Sequence, residues 1–333
     1  MLTVASPGRL LAALDAELAP DLEEVERILR RRTDSNLELV KLTGRYLYRS
    51  GGKRLRPKLL LLAMRAAGGD PAHPGATSFA AMVEVLHAAT LVHDDIVDQA
   101  DTRRGKPSLN NLLGDDLSVL IGDFLYIQSM SLAIEQGDLR VVRTLCDVTM
   151  RMVEGMLLEK ARAGTIGLTR AEHLEILRLK TAWLFYGCGK MGAMIAGASP
   201  ETEEAIAESC LNLGMAFQVA DDLLDFTASA DDLGKPVLSD LKEAHLTLPI
   251  LHSLERAPDA VPLVEDVLRK GRLTPQSRRA ILELVRREGG IEESRRMAEV
   301  YAQRAREALA PVRPSRYRDG FEALADYVIQ RER

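Results

Sequence analysis

The sequence predicts an all-α protein, and three observations predict it. Helical apolar spacing recurs along nearly the whole chain, strand-type alternation is almost absent, and glycines and prolines gather in short stretches between the periodic runs. The clearest run goes from Thr77 to Arg104 without proline or glycine, with Phe79, Met82, Val83, Leu86, Thr90 and Val97 recurring at helical spacings. It predicts one long helix. A second opens at "SPETEEAIAESC", where Ser199 can cap, Pro200 takes the first helical position and acids fill the first turn. It is expected to reach Phe226, with Gly214 its weak point. Residues 68–75, 103–107, 228–236 and 256–262 read as connecting loops, none long enough to separate domains. One all-helical domain over residues 1–333 is therefore expected.

Composition narrows the function. The 333 residues include 44 basic and 49 acidic side chains for a net charge of −5, which argues against nucleic-acid binding and confines any phosphate chemistry to local clusters. Cys146, Cys188 and Cys210 lie in apolar helical contexts without metal-ligand spacing, so reduced thiols in a cytoplasmic protein are expected. Neither a leader-like start nor a membrane span, which takes about 18 apolar residues in a row, is evident.

Two stretches carry the chemistry. "DDIVD" (94–98) and "DDLLD" (221–225) both fall at the C-terminal ends of predicted long helices, where aspartate is a poor helix former and the macrodipole is already negative. One such pattern could be a solvated helix end; two all-aspartate copies point to a common ligand. Residues i and i+4 share a helix face, so Asp94 pairs with Asp98 and Asp221 with Asp225. Two facing pairs would make an oxygen-rich cleft suited to Mg²⁺, which keeps waters and takes carboxylates along with substrate phosphates. The basic residues that follow, Arg103, Arg104 and Lys235, would bind the remaining phosphate oxygens. "GGKRLRP" (51–57) adds a second basic cluster with Lys53 and Arg56 as anion ligands. Two basic clusters and one double-carboxylate site suggest two phosphorylated substrates, only one of them metal-bound.

Those motifs, with "EVLHAATLVHDDIVD", "TRRGKPSLNN", "LIGDFLY", "KTAWLF", "FQVADDLLDF", "GKPVLSDL", "TLPIL" and "ADYVIQRER", resemble the polyprenyl synthetase family of trans-isoprenyl diphosphate synthases over nearly the whole chain. The resemblance implies an isoprenoid synthase-type helical bundle around a central active-site cavity, usually a homodimer, that adds isopentenyl diphosphate to an allylic diphosphate. It implies that Asp94, Asp98 and Asp221 ligate Mg²⁺ with Asp95, Asp222 and Asp225 in support. Arg103, Lys180, Thr181, Gln218 and Lys235 would hold the allylic diphosphate, and Lys53, Arg56, His87 and Arg104 the isopentenyl diphosphate. Lys180 and Lys235 join the aspartates as the catalytic set. Rival readings of the same motifs are a terpene cyclase, disfavoured by an aromatic content of 4% and by the intact second aspartate motif, and a noncatalytic subunit of a hetero-oligomeric synthase.

The chain departs from the family pattern in two places. Ala244 and His245 stand where glycine and lysine are usual before "TLP", replacing a fixed charge by an imidazole whose charge depends on pH. Met156 stands where a polar Glu or Gln is usual, with Glu159 an oxygen ligand within reach. Other residues take plainer readings. His93 reads as a hydrogen-bonded helix histidine; Met64, Met82, Met130 and Met150 as core filler; Trp183 and Tyr186 as packing. Product length is read from the helix above Asp94. Ala89 and Thr90 leave its first turn open, and Met82, Val83, Val85 and Leu86 lie deeper, so a long-chain product is expected.

Overall fold

The computed structural model describes residues 7–49, 54–103, 105–227 and 237–330. Lys53, Arg104 and Lys235 lie outside the described residues, as does the expected loop 228–236. Contacts divide the chain into two compact units, each made of three segments: Met1–Cys146, Gly187–Ala207 and Pro311–Gly320 in the first, Asp147–Tyr186, Glu208–Ala310 and Phe321–Arg333 in the second.

The first unit begins with α1 (Pro7–Arg32), α2 (Glu38–Arg49), α3 (Leu55–Ala66) and α4 (Ala76–Val97). A hairpin of β1 (Thr102–Arg103) and β2 (Lys106–Pro107) follows, then α5 (Leu109–Leu113), α6 (Asp115–Glu135) and the start of α7 (Leu139–Arg162). Helix α4 packs on α1, α3 and α6. Its Phe79, Met82, Val83, Val85, Leu86 and Ala89 are buried, as the apolar spacing requires.

The expected helix 77–104 overran. Helix α4 stops at Val97, Asp98 caps it, and Gln99 takes a left-handed φ of 52°. Gln99 N–H donates to the Ile96 carbonyl and Ala100 N–H to that of Asp95, the paired bonds of a Schellman close. Crowded aspartates at a negative helix end stop the helix that the absence of glycine and proline would have let run on. The residues beyond form an antiparallel ribbon with Thr102 opposite Pro107 and Arg103 opposite Lys106. Gly105 sits at φ 72° in its turn.

The second unit takes the rest of α7, then α8 (Arg170–Leu177), a π-helical turn Arg178–Ala182, and the start of α9 (Trp183–Ile195). Most of α10 (Pro200–Thr227), α11 (Ser239–Lys242), α12 (Leu248–Arg256), α13 (Val261–Lys270), α14 (Pro275–Arg287) and α15 (Gly290–Ala308) also belong to it. Helix α16 (Arg316–Ile329) starts in the first unit and ends in the second. The expected loop 256–262 holds a short 3-10 turn, Pro258–Ala260, and the first residues of α13. Ser199 caps α10 by accepting from the Thr202 N–H at 3.3 Å. Gly214 is no weak point but a close approach: a Cβ there would stand 2.9 Å from Ala182 Cα and 3.0 Å from the Phe185 ring. Ile250, Leu251, Val264, Ile281, Leu284 and Val285 form the core of this unit.

Several plainer expectations are answered here. None of the three cysteines is in a disulfide, and burial pushes the Cys188 thiol up to about 12. Met64 and Met82 are buried, whereas Met150 is exposed, so it fills no core in this chain. Trp183 packs edge-on against Tyr186 at 4.6 Å, with Arg151 and Arg178 each 5.7 Å from its ring centre. Contrary to the sequence reading, α4 and α6 each contain a window long and apolar enough to cross a membrane. That window is 61% buried in α4 and 39% buried in α6.

Candidate active site

In the first unit the site is built on one face of α4. At about 100° per residue, Glu84, His87, Asp94, Asp95 and Asp98 fall within an arc of about 100°. Asp94 and Asp98 are half-exposed near the helix end, and Asp95 is buried. Asp95 accepts from both Nε (2.8 Å) and Nη2 of Arg103, so the second residue of the motif aims the guanidinium that the ribbon carries. The ribbon itself is tied down at its base. Tyr46 O–H donates to the Pro107 carbonyl at 2.6 Å, Ser108 Oγ and Asn110 to the Ala100 carbonyl, and Asn111 to that of Asp101. This accounts for "SLNN" in the motif that follows the basic pair. Arg56 Nη1 lies 2.9 Å from His87 Nε2, which brings two predicted substrate ligands together on the same helix face. A cavity lined by Tyr46, Tyr48, Arg54, Glu84, His87, Asp95 and Arg103 runs along it.

His93 faces away from this chemistry, as a packing histidine should. Its Nε2 lies 3.3 Å from the Val119 carbonyl oxygen and 3.4 Å from Asp123 Oδ1 of α6. The ring fills the space over Gly122, where a Cβ would stand 2.2 Å from Nε2. Gly122→Ala is therefore expected to push His93, and with it Asp94, out of place. The expected loss is about 1–3 kcal/mol of stability and a weaker apparent affinity for a divalent cation, read by thermal melting and metal titration.

In the second unit the aspartates divide their work. Asp221 is exposed, while Asp222 and Asp225 are buried. Thr181 O–H donates to Gln218 Oε1 at 3.2 Å, and Gln218 Nε2 donates to Asp222 Oδ1 at 2.9 Å, so three predicted residues form one relay. The other Asp222 oxygen lies 3.3 Å from Nε2 of buried His173. Asp225 accepts from the N–H and O–H of Ser239 and from the Asp240 N–H, capping the start of α11. Asp225 is thus committed to the first backbone N–H groups of α11, so it does not simply mirror Asp221 as a second member of a pair. Burial and the charges of Asp225, Asp222, Glu243 and Asp221 push the Asp240 carboxyl well above the usual carboxylate range.

Lys180 sits in the π-helical turn and donates to Glu159 Oε2 at 2.5 Å. Nδ1 of His245 lies 3.6 Å from the other Glu159 oxygen. The departure at 245 therefore shares a carboxylate with a predicted substrate ligand. Ala244 holds φ 67°, a left-handed conformation that glycine adopts without strain. Met156, at the other departure, is half-buried on α7, three residues before Glu159.

Sequence reasoning missed Glu84, Glu26, Arg54, Tyr46 and His173. Glu84 alone carried a signal, as a lone carboxylate amid the apolar side chains of α4. Among the described residues, no three His, Cys, Asp or Glu side chains form a preformed metal cage. On α4, Asp94 and Asp98 still fit a hard divalent cation completed by waters and phosphates, because their donors are all carboxylate oxygen and both side chains are half-exposed.

This architecture and these motifs define a prenyl-chain transferase of the all-helical class. A profile of the polyprenyl synthetase family matches residues 38–285, and the chain belongs to that family. It is 33% identical over 321 residues to the octaprenyl diphosphate synthase of Escherichia coli K12, covering 95% of this chain and 97% of the relative. It is also 33% identical over 315 residues to a short chain isoprenyl diphosphate synthase of Methanothermobacter thermautotrophicus, covering 92% of this chain and 95% of that one. A crystal structure of a polyprenyl synthase from Caulobacter crescentus, complexed with calcium and isoprenyl diphosphate, superposes with a TM-score of 0.91 at 34% identity over 97% of this chain and 98% of that one.

Proposed function

We propose that this prenyltransferase condenses isopentenyl diphosphate with an allylic diphosphate in the trans sense, using Mg²⁺, and builds a long-chain polyprenyl diphosphate. The observation that carries the reading is the face of α4. Carboxylates for a metal stand at its end, Asp95 aims Arg103, and His87 meets Arg56, so the carboxylate seat and an anion seat adjoin. The calcium and isoprenyl diphosphate in the Caulobacter relative support a divalent cation and this ligand class.

Asp94, Asp98 and Asp221 would hold Mg²⁺, which when bound neutralises charge on the leaving diphosphate. Arg103, Lys180 and Lys235 bind the remaining oxygens of that diphosphate, and Thr181 and Gln218 orient it. The allylic C–O bond breaks. Lys53, Arg56, His87 and Arg104 hold the second diphosphate so that its double bond attacks the allylic carbon, and a proton then passes to the released diphosphate.

Residues 1–333 act as a single all-helical domain, a reading supported by a family match that runs through both units. A homodimer is supported by α6, where Leu120, Ile127 and Ile134 recur every seventh residue and are each 63% exposed, a stripe that sedimentation of the purified chain tests. The thiols without disulfides support a cytoplasmic setting.

The purified chain, incubated alone with an allylic diphosphate, isopentenyl diphosphate and Mg²⁺, is expected to yield polyprenyl diphosphate on chromatography. A cyclic hydrocarbon would mark a cyclase, and product only on addition of a second polypeptide would mark a subunit. His245→Lys is expected to bring a fixed charge to Glu159, loosen its hold on Lys180 and lower the allylic KM about two- to fivefold. An unchanged KM would separate His245 from the diphosphate.

A further inference from the structure

The segment "KRLR" offers three cations, and the geometry of one of them is unlike a ligand's. Arg54 holds φ 46°, ψ 41°, a left-handed backbone at the N-cap of α3. For a residue with a side chain this conformation costs roughly 1–2 kcal/mol, so something must hold it. Its guanidinium is turned inward. Nε donates to Glu26 Oε1 at 2.5 Å, Nη1 to Glu84 Oε1 at 2.7 Å and Nη2 to the Tyr48 carbonyl at 3.3 Å. The Arg54 and Glu84 side chains keep only 11% and 10% of their exposure. Glu84 is a carboxylate in an otherwise apolar stretch of α4, and it would be destabilising there without a partner.

We propose that Arg54 is a positioning residue: its ion pair with Glu84 latches the start of α3 onto α4 and sets the direction from which Arg56 reaches isopentenyl diphosphate. The inference rests on the proposed role of that segment. Glu84 and His87 lie three residues apart on one face of α4, and they receive Arg54 and Arg56 respectively. The two contacts fix both the position and the tilt of the start of α3. Arg54 also neutralises Glu84, a charge that would otherwise face the cavity where an anion must bind. Lysine can replace it only in part, since its three donors radiate from one nitrogen whereas the two carboxylates and the carbonyl are met by three separate guanidinium nitrogens.

Glu84→Gln tests the latch by sign. Removing a negative charge beside an anion site should tighten diphosphate binding on Coulomb grounds. The latch predicts the opposite: KM for isopentenyl diphosphate rises about tenfold, while the allylic KM stays within about twofold. Arg54→Gln should raise the same KM at least as far and also lower the melting temperature. The double variant Arg54→Gln/Glu84→Gln should recover the melting temperature but not the KM. Arg54→Lys should fall between wild type and Arg54→Gln. The latch is overturned if Glu84→Gln leaves that KM unchanged or lowers it, or if the double variant regains the wild-type KM. Arg56→Ala is the control. If it raises the isopentenyl diphosphate KM and Glu84→Gln does not, the latch alone fails; if Arg56→Ala has no effect, the assignment of the whole segment falls, and the latch with it.

Discussion

Asp94→Ala and Asp221→Ala are each expected to lower turnover by about 10²–10⁴ while leaving helix content and melting temperature near those of the wild type. The reason is location. Asp94 is half-exposed at the end of α4 and Asp221 is exposed on α10, so neither substitution opens a cavity. Their buried neighbours should behave differently. Asp225→Ala would strip the acceptor from Ser239 and Asp240, and Asp95→Ala would release Arg103, so both should lose stability as well as activity. Steady-state turnover and circular-dichroism melting on the four variants check this. Near-normal turnover in Asp94→Ala or Asp221→Ala would remove the metal assignment.

The second large effect is on product length. Met82, Val83, Leu86, Ala89 and Thr90 occupy an arc of about 120° on α4, beside the face that carries Asp94 and Asp98. Ala89 and Leu86 are fully buried, and the Thr90 hydroxyl is turned back to the His87 carbonyl at 2.9 Å. No bulky ring stands in the first turn above the carboxylates. A growing chain is expected to pass that level and end at roughly seven or more isoprene units, about two helical turns deeper. Ala89→Phe should shorten the product to roughly three or four units by filling the channel. Product chromatography reads it, and a wild-type product already that short would show that this helix does not set the length.

Much of the fold was legible in local pattern. The long helices, the cap at Ser199, the first-turn Pro200 and the loop at 68–75 were readable because apolar periodicity and capping chemistry act over a few residues. The overrun at α4 arose from the same locality. No glycine or proline marks its end, and the stop at Val97 depends on the aspartates and on Gln99 accepting a left-handed backbone. The ribbon at 102–107 was invisible for a related reason: two residues per strand show no alternation, and its anchors, Tyr46 among them, come from far along the chain.

By itself the sequence determined the class of the protein and the reagents of its site. Two aspartate motifs, two basic clusters and their order specify carboxylates for a cation and cations for diphosphates, since charge type and helical spacing follow from residue identity alone. Only the tertiary structure decided which of those groups hold others in place. Asp95 was turned to Arg103, Asp225 to the first N–H groups of α11, Asp222 to Gln218 and His173, and Arg54 inward to Glu84. The physical reason is burial. A charged group taken out of water must find a partner, and that partner can come from anywhere along the chain that folding brings near.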